Sequence, residues 1–467
     1  MSSELWQLSA GELAGLIRTR QVSSRTVVQA HLDRIAAVND RLNALPVILH
    51  EQALQAAAAA DQMQANGAPL GPLHGVPMTV KANIDLVGSA TTSGVVALQK
   101  AMPPVDAPAT AHLRRAGAIP IGRTNLPDFA LRWQTTSSLW GATRNPWNPT
   151  VTPGGSSGGD AVALAVGMTP LAIGNDYGGS LRYPAQCCGV TALRPTLGRV
   201  AAASSLSPLP PPITGQLFFV HGPMARRVSD LRLALHVMSQ SDARDPWWIP
   251  VPQAGPPIGR PLRVALTINP GDSGVDQRVA DGVRKAARLL ANAGYRVEAV
   301  EPPAIAEAAA IWAQLVAADL RTTLLPGIKA LAGADTLTFV GHFLDTMAEG
   351  TLQVYSQALA ERQRLAVAWS RFAETYPLIL GPVATLPPFP LDYDLTARTH
   401  VQELLHAMRL VVTVNLLGPP AVVLPVDVTD GLPQAVQLIG ARYREDLCLD
   451  AAAAIESQVT LVTPHNC

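Results

Sequence analysis

The stretch TPGGSSGGDAVALAVG, from Thr152 to Gly167, sets paired glycines around two serines directly before an apolar run. Three chemistries compete for such a loop. A flexible glycine-serine linker is normally flanked by polar sequence, whereas this one opens onto AVALAVGM, which predicts a buried helix. A phosphate cradle of the Walker type needs a lysine and a hydroxyl after its last glycine; Asp160 stands there instead, and its charge repels phosphate. GGSSG and GSSGG both satisfy the G-x-S-x-G pattern of an α/β-hydrolase nucleophile elbow, which makes Ser156 and Ser157 formal candidates in a serine esterase. Against that alternative, an elbow follows a core strand, and RNPWNPTVTP before this loop carries three prolines. No downstream histidine among His221, His342, His400 and His406 has a context that marks it as the base.

A second cluster, AIGNDYGGSLRYPAQCCGV, follows closely and centres on Ser180. Two serine loops can therefore face each other across adjacent strand ends. Upstream, GPLHGVPMTVKANI puts Lys81 at the end of an apolar strand, where burial would strip its ammonium of water and lower its pKa. Each feature alone has a plainer explanation: glycines serve turns, serines satisfy backbone groups, and a strand-end lysine snorkels to solvent. It is their conjunction and order that point to chemistry.

The elements that must hold these groups are readable in outline. After the cap signal Ser23-Ser24, Val28, Leu32 and Ile35 recur at helical spacing, and EQALQAAAAADQMQANG predicts a second helix stopping at Gly67. GVPMTV, AIPIG, PLAIG, LRVALTI and AVVLPV have strand length with turn residues at their edges. Strands and helices alternate, which predicts an α/β layered architecture with a substantially parallel sheet. SQSDARDPWWIPVPQAGPPIGRP reads either as an interdomain linker or as a surface excursion within one domain.

With 467 residues, 48% of them hydrophobic and 15% charged, the chain can bury a large core. Lys+Arg and Asp+Glu are both 35, so the basic footprint of a phosphate-backbone binder is missing and nucleic acid is not an expected ligand. The amino-terminal sequence has neither the basic start nor the apolar block of a signal peptide, and no stretch reads as a transmembrane span. Four cysteines form no disulfide framework and no C-x-x-C metal pair, which points to a reducing cytoplasm.

On these residues the chain resembles the amidase signature enzymes. PGGSSGGD and GNDYGGSLRYPA match the family's signature run, and GVPMTVK matches its upstream lysine segment. TNLPDFA, GATRNPWNP, LRPTLGRV and DGLPQAVQLIGARYREDLCLDAAAAIE extend the likeness over most of the chain, with about 239–394 the least familiar region. The resemblance implies one α/β/α domain over residues 1–467, built on a large mixed, mostly parallel sheet covered by helices, and it removes the linker reading.

It also implies roles. Ser180 is the expected nucleophile, Ser156 the bridging serine after a cis peptide bond, and Lys81 the base. Neutral lysine can take a proton from a serine, and a second serine can pass it on, so no histidine is required. The N–H groups of Tyr177, Gly178, Gly179 and Ser180 are the expected oxyanion hole, and Ser157 a supporting hydrogen-bonding group. Asp176 and Arg182 either brace the nucleophile loop or form a solvated pair. Two departures stand out: Ala82 follows Lys81 where an acid is common, and Asn175 stands where Thr or Ser is usual. Ala82 is expected to point away from Lys81, and Asn175 to alter how its loop is braced. Phe129, Trp133 and Trp140 lie in the segment that approaches substrate in similar enzymes, which suggests an apolar or aromatic acyl group; core packing is their other fate.

The implied activity is hydrolysis of a carboxylic amide to an acid and ammonia or an amine through a Ser180 acyl-enzyme, with no metal or cofactor. The expected partner is a small-molecule amide, with a homodimer left open. A competing reading is the amidase-like subunit of a glutamine-dependent tRNA amidotransferase, which shares the three catalytic residues but works inside a complex.

Overall fold

Period-two burial explains how the sheet forms. In AVVLPV, Val422, Leu424 and Val426 enter one apolar layer while Ala421 and Val423 enter the other, so both faces of this strand are covered. The computed structural model describes residues 2–206, 210–460 and 464. The first strands are β1 (Val47–Ile48), β2 (Pro77–Lys81) and β3 (Ile119–Thr124), followed by a separate short pair, β4 (Thr136–Ser137) and β5 (Gly141–Ala142). Then come β6 (Leu171–Asp176), β7 (Thr191–Arg194), β8 (Val220–Ala225), β9 (Arg263–Leu266) and β10 (Arg296–Ala299). β11 (Leu378–Pro382), β12 (Ala421–Thr429) and β13 (Leu432–Gly440) complete the set.

Eleven of these form one sheet in the order β1-β3-β2-β6-β8-β7-β12-β13-β11-β9-β10. Helices pack on both faces, and the two apolar layers they form with the strands are the core of an α/β/α fold. The sheet is mixed as expected, but the expectation of a mostly parallel one needs correcting. β2 pairs in parallel with β3 and β6, and β9 with β10 and β11, whereas the six other pairings are antiparallel. One physical reason lies in a tight hairpin. Asp430 and Gly431, with φ of 51° and 74°, reverse the chain between β12 and β13 in the manner of a two-residue turn.

The helix expected after Ser23 spans Ser24–Leu42, with the Ser23 hydroxyl accepting from Thr26 N–H. The second spans His50–Ala65. The proline-rich stretch 239–261 joins β8 and its following helix to β9 of the same sheet, so it is a surface excursion. It is pinned by Ile249 N–H donating to Gly198 O (2.9 Å) and Arg199 donating to Val251 O (2.6 Å). No described helix is long and apolar enough to cross a membrane.

Candidate active site

β2 ends on Lys81. Met78 and Val80 face one apolar layer, so Thr79 and Lys81 point to the other face of the sheet. There the entirely buried helix Gly158–Ala165 packs, preceded by the first serine loop. Lys81 is fully buried, and its Nζ donates to Ser156 Oγ at 2.7 Å and to Asn175 Oδ1 at 2.9 Å. Burial pulls the lysine pKa well below its ordinary value, against the opposing attraction of Asp160 and Asp176. Burial also pushes Asp160 up, although Thr124 donates to its carboxylate.

The Gly155–Ser156 peptide is cis. Glycines let the first serine loop touch the second: Gly154 has φ +80°, and a Cβ there would stand 2.6 Å from Pro184 Cα, just beyond Ser180. Ser157 N–H donates to Ser180 O at 3.1 Å, tying the two loops together through their backbones. Ser157 Oγ, fully buried, has no hydrogen-bond partner among the described residues. Among the described residues, no histidine hydrogen-bonds to Ser156, Ser157 or Ser180.

The second loop leaves β6 and enters the helix Arg182–Cys188. Asp176 and Arg182 form a buried brace, the alternative of a solvated pair being excluded by zero exposure of both side chains. Burial alone would raise the Asp176 pKa, but Arg182, Arg194 and Asn415 hold it far below the ordinary carboxylate range. The same carboxylate accepts from Gly179 N–H at 2.9 Å and from Leu181 N–H at 3.2 Å. The expected four-donor oxyanion hole is therefore corrected at Gly179, whose N–H is already taken. The N–H groups of Tyr177, Gly178 and Ser180 meet no protein acceptor among the described residues.

Ser180 opens onto a pocket lined by Trp133, Tyr177, Trp312, Phe339 and Phe343, whereas Lys81 and Ser156 do not line it. Trp133 is fixed there by donating from Nε1 to Gly178 O at 2.8 Å and meets Phe339 edge-on. Phe129 packs against the core and Trp140 is half-buried; neither lines the pocket. Trp312, from the helix Ile305–Asp319, and Phe339 and Phe343, from the helix Ala334–Asp345, are pocket residues that sequence reasoning misses. Helical apolar spacing there is the same for a core face and a pocket wall. A larger open cleft, about 790 Å³, lies between the amino-terminal helices and contains none of the three serines.

The amidase family model matches residues 26–449. An indoleacetamide hydrolase of Bradyrhizobium diazoefficiens is 43% identical over 97% of this chain and 87% of its own length. One of the subunits of the glutamyl-tRNA(Gln) amidotransferase of Salinispora arenicola is 32% identical over 99% of each chain. Among solved structures, a bacterial aryl acylamidase of the amidase signature family superposes with a TM-score of 0.85 at 27% identity, covering 98% of this chain and 99% of that one. A lysine, two serines and a glycine-built loop meeting at the end of a sheet thus stand within a match that spans nearly the whole sequence, and the chain belongs to the amidase signature family.

Proposed function

We propose that this amidase cleaves amides with an aromatic or bulky apolar acyl group through an acyl-enzyme on Ser180. The observation that carries the reading is the 2.7 Å contact between buried Lys81 Nζ and Ser156 Oγ, in a loop whose next residue holds the Ser180 carbonyl. In the first half-reaction Ser180 Oγ bonds to the amide carbon. Its proton passes to Ser156, whose own proton passes to Lys81 Nζ. The carbonyl oxygen becomes an oxyanion facing the N–H groups of Tyr177, Gly178 and Ser180, each donor worth about 3 kcal/mol in such sites. The C–N bond then breaks as the relay returns a proton to the departing ammonia or amine. Water repeats the sequence on the acyl ester and releases the acid.

Trp133, Trp312, Phe339 and Phe343 supply flat apolar surface next to Ser180, and the indoleacetamide hydrolase relative supports a planar aromatic acyl group. The amidotransferase relative makes a role inside a complex the second reading. The purified chain releasing ammonia from arylacetamides without partners separates the two. For the nucleophile, a fluorophosphonate should add its mass to the Ser180 peptide. Labelling on Ser156 or Ser157 instead would overturn the assignment and return the hydrolase-elbow reading.

A further inference from the structure

Asn175, near the end of β6, reaches the buried lysine with its side chain. Its Oδ1 accepts from Lys81 Nζ at 2.9 Å while its Nδ2 donates to Asn83 Oδ1 at 2.9 Å. Asn175 is 3% exposed, and its backbone is fixed in β6 opposite His221 of β8. We propose that Asn175, locked by Asn83, is a positioning residue that orients the Lys81 amine toward Ser156.

Hydrogen-bond inventory gives the reason. A neutral amine has two N–H groups and one lone pair. A carbonyl oxygen only accepts, so whichever protonation state Lys81 holds, the direction toward Asn175 is filled by an N–H. With that N–H committed to Asn175, the other positions on the nitrogen are left for Ser156, to which Nζ donates here and from which the lone pair of the neutral amine can accept the proton. A hydroxyl at this position could rotate and donate into the lone pair, competing with the relay. The Asn175 amide nitrogen, which could do the same after a flip, is turned away from the amine and donates to Asn83 Oδ1. Charged and titratable groups surround the same amine through space: Asp160 from the packed helix with Arg123 of β3 beside it, Asp176 at the end of β6 and His221 on β8. Neither carboxylate hydrogen-bonds to Nζ among the described residues, so Asn175 is the group, besides Ser156, that fixes its direction.

The inference rests on Lys81 being the base, and the test separates the two. Wild type, Lys81→Ala, Asn175→Asp and Asn175→Ala are compared with one arylacetamide, recording kcat and KM against pH and the melting temperature of each. A carboxylate against Nζ favours the ammonium, so Asn175→Asp should move the acid limb of kcat/KM to higher pH by about one unit or more. Asn175→Ala should lower kcat about tenfold or more with KM within about twofold. An acid limb left in place in folded Asn175→Asp, or a loss in Asn175→Ala carried by KM alone, overturns the proposal. If Asn175→Asp does not fold, the kcat-against-KM split in Asn175→Ala decides. Full turnover in Lys81→Ala would overturn the base itself; an inactive Lys81→Ala beside an unmoved limb would overturn only the role of Asn175.

Discussion

Arg182 grips Asp176 with two nitrogens, Nε to Oδ2 at 3.0 Å and Nη2 to Oδ1 at 3.1 Å, and neither side chain reaches solvent. The carboxylate also takes Gly179 and Leu181 N–H, so it sets the path of the backbone on both sides of Ser180. Asp176→Asn would leave Arg182 buried without its charge partner. Stability should fall by about 3–5 kcal/mol in denaturant titrations, since an uncompensated buried charge costs that much. The pH sign follows from the lowered pKa: the contribution is complete above the ordinary carboxylate value and drains away as pH falls below it. The variant should therefore lose less stability on acidification than wild type. Equal acid sensitivity would contradict the brace.

Lys81 is proposed as the base and must be neutral to act. Its lowered pKa raises the neutral fraction near neutrality, so kcat/KM should climb with pH as the lysine deprotonates. Lys81→Ala should lower kcat by about two to four orders of magnitude and abolish that limb, with KM within about threefold. Alanine at each of the ten histidines in turn should leave the limb in place. A limb lost with one histidine, or near-normal turnover in Lys81→Ala, would refute the relay.

Phe339 closes the pocket against Trp133 at a ring separation of 6.3 Å. Burying a phenyl side chain contributes about 1.5–3 kcal/mol, so Phe339→Ala should cost about 10- to 100-fold in kcat/KM for an arylacetamide. A short aliphatic amide, too small to reach the ring, should lose less than about threefold. Parallel losses on both substrates, in a variant that still melts cooperatively, would remove Phe339 from substrate recognition.

The residues proposed to do chemistry are legible in the sequence because chemistry restricts their types: a lysine closing an apolar strand and serines between glycines have few equivalent substitutes. The helices from Ser24 and His50 are legible through caps and apolar period, and β2, β3, β6, β9 and β12 through short apolar runs. Strand direction is not, because a strand reads the same whichever way its neighbour runs. The signal that is present, Asp430-Gly431 between two alternating runs, is a hairpin mark. Gly179 shows a different limit. A glycine beside a nucleophile suggests a free N–H, yet where that N–H points is decided by a carboxylate three residues earlier. Asn175 is similar: its contact with Lys81 joins strands β6 and β2, and nothing local to either segment encodes the approach. Trp312, Phe339 and Phe343 carry nothing that tells them from core.

The floor of the pocket and its walls come from distant parts of the chain. Tyr177, Gly178 and Ser180 belong to the loop after β6, while Trp312, Phe339 and Phe343 ride on helices more than a hundred residues later. On the proposed mechanism, much of the wall that meets the acyl group is thereby encoded apart from the lysine and serines, Trp133 being the wall residue that lies between Lys81 and Ser156. On that proposal, substitutions in the later helices change which amide is admitted while Lys81, Ser156 and Ser180 stay in place.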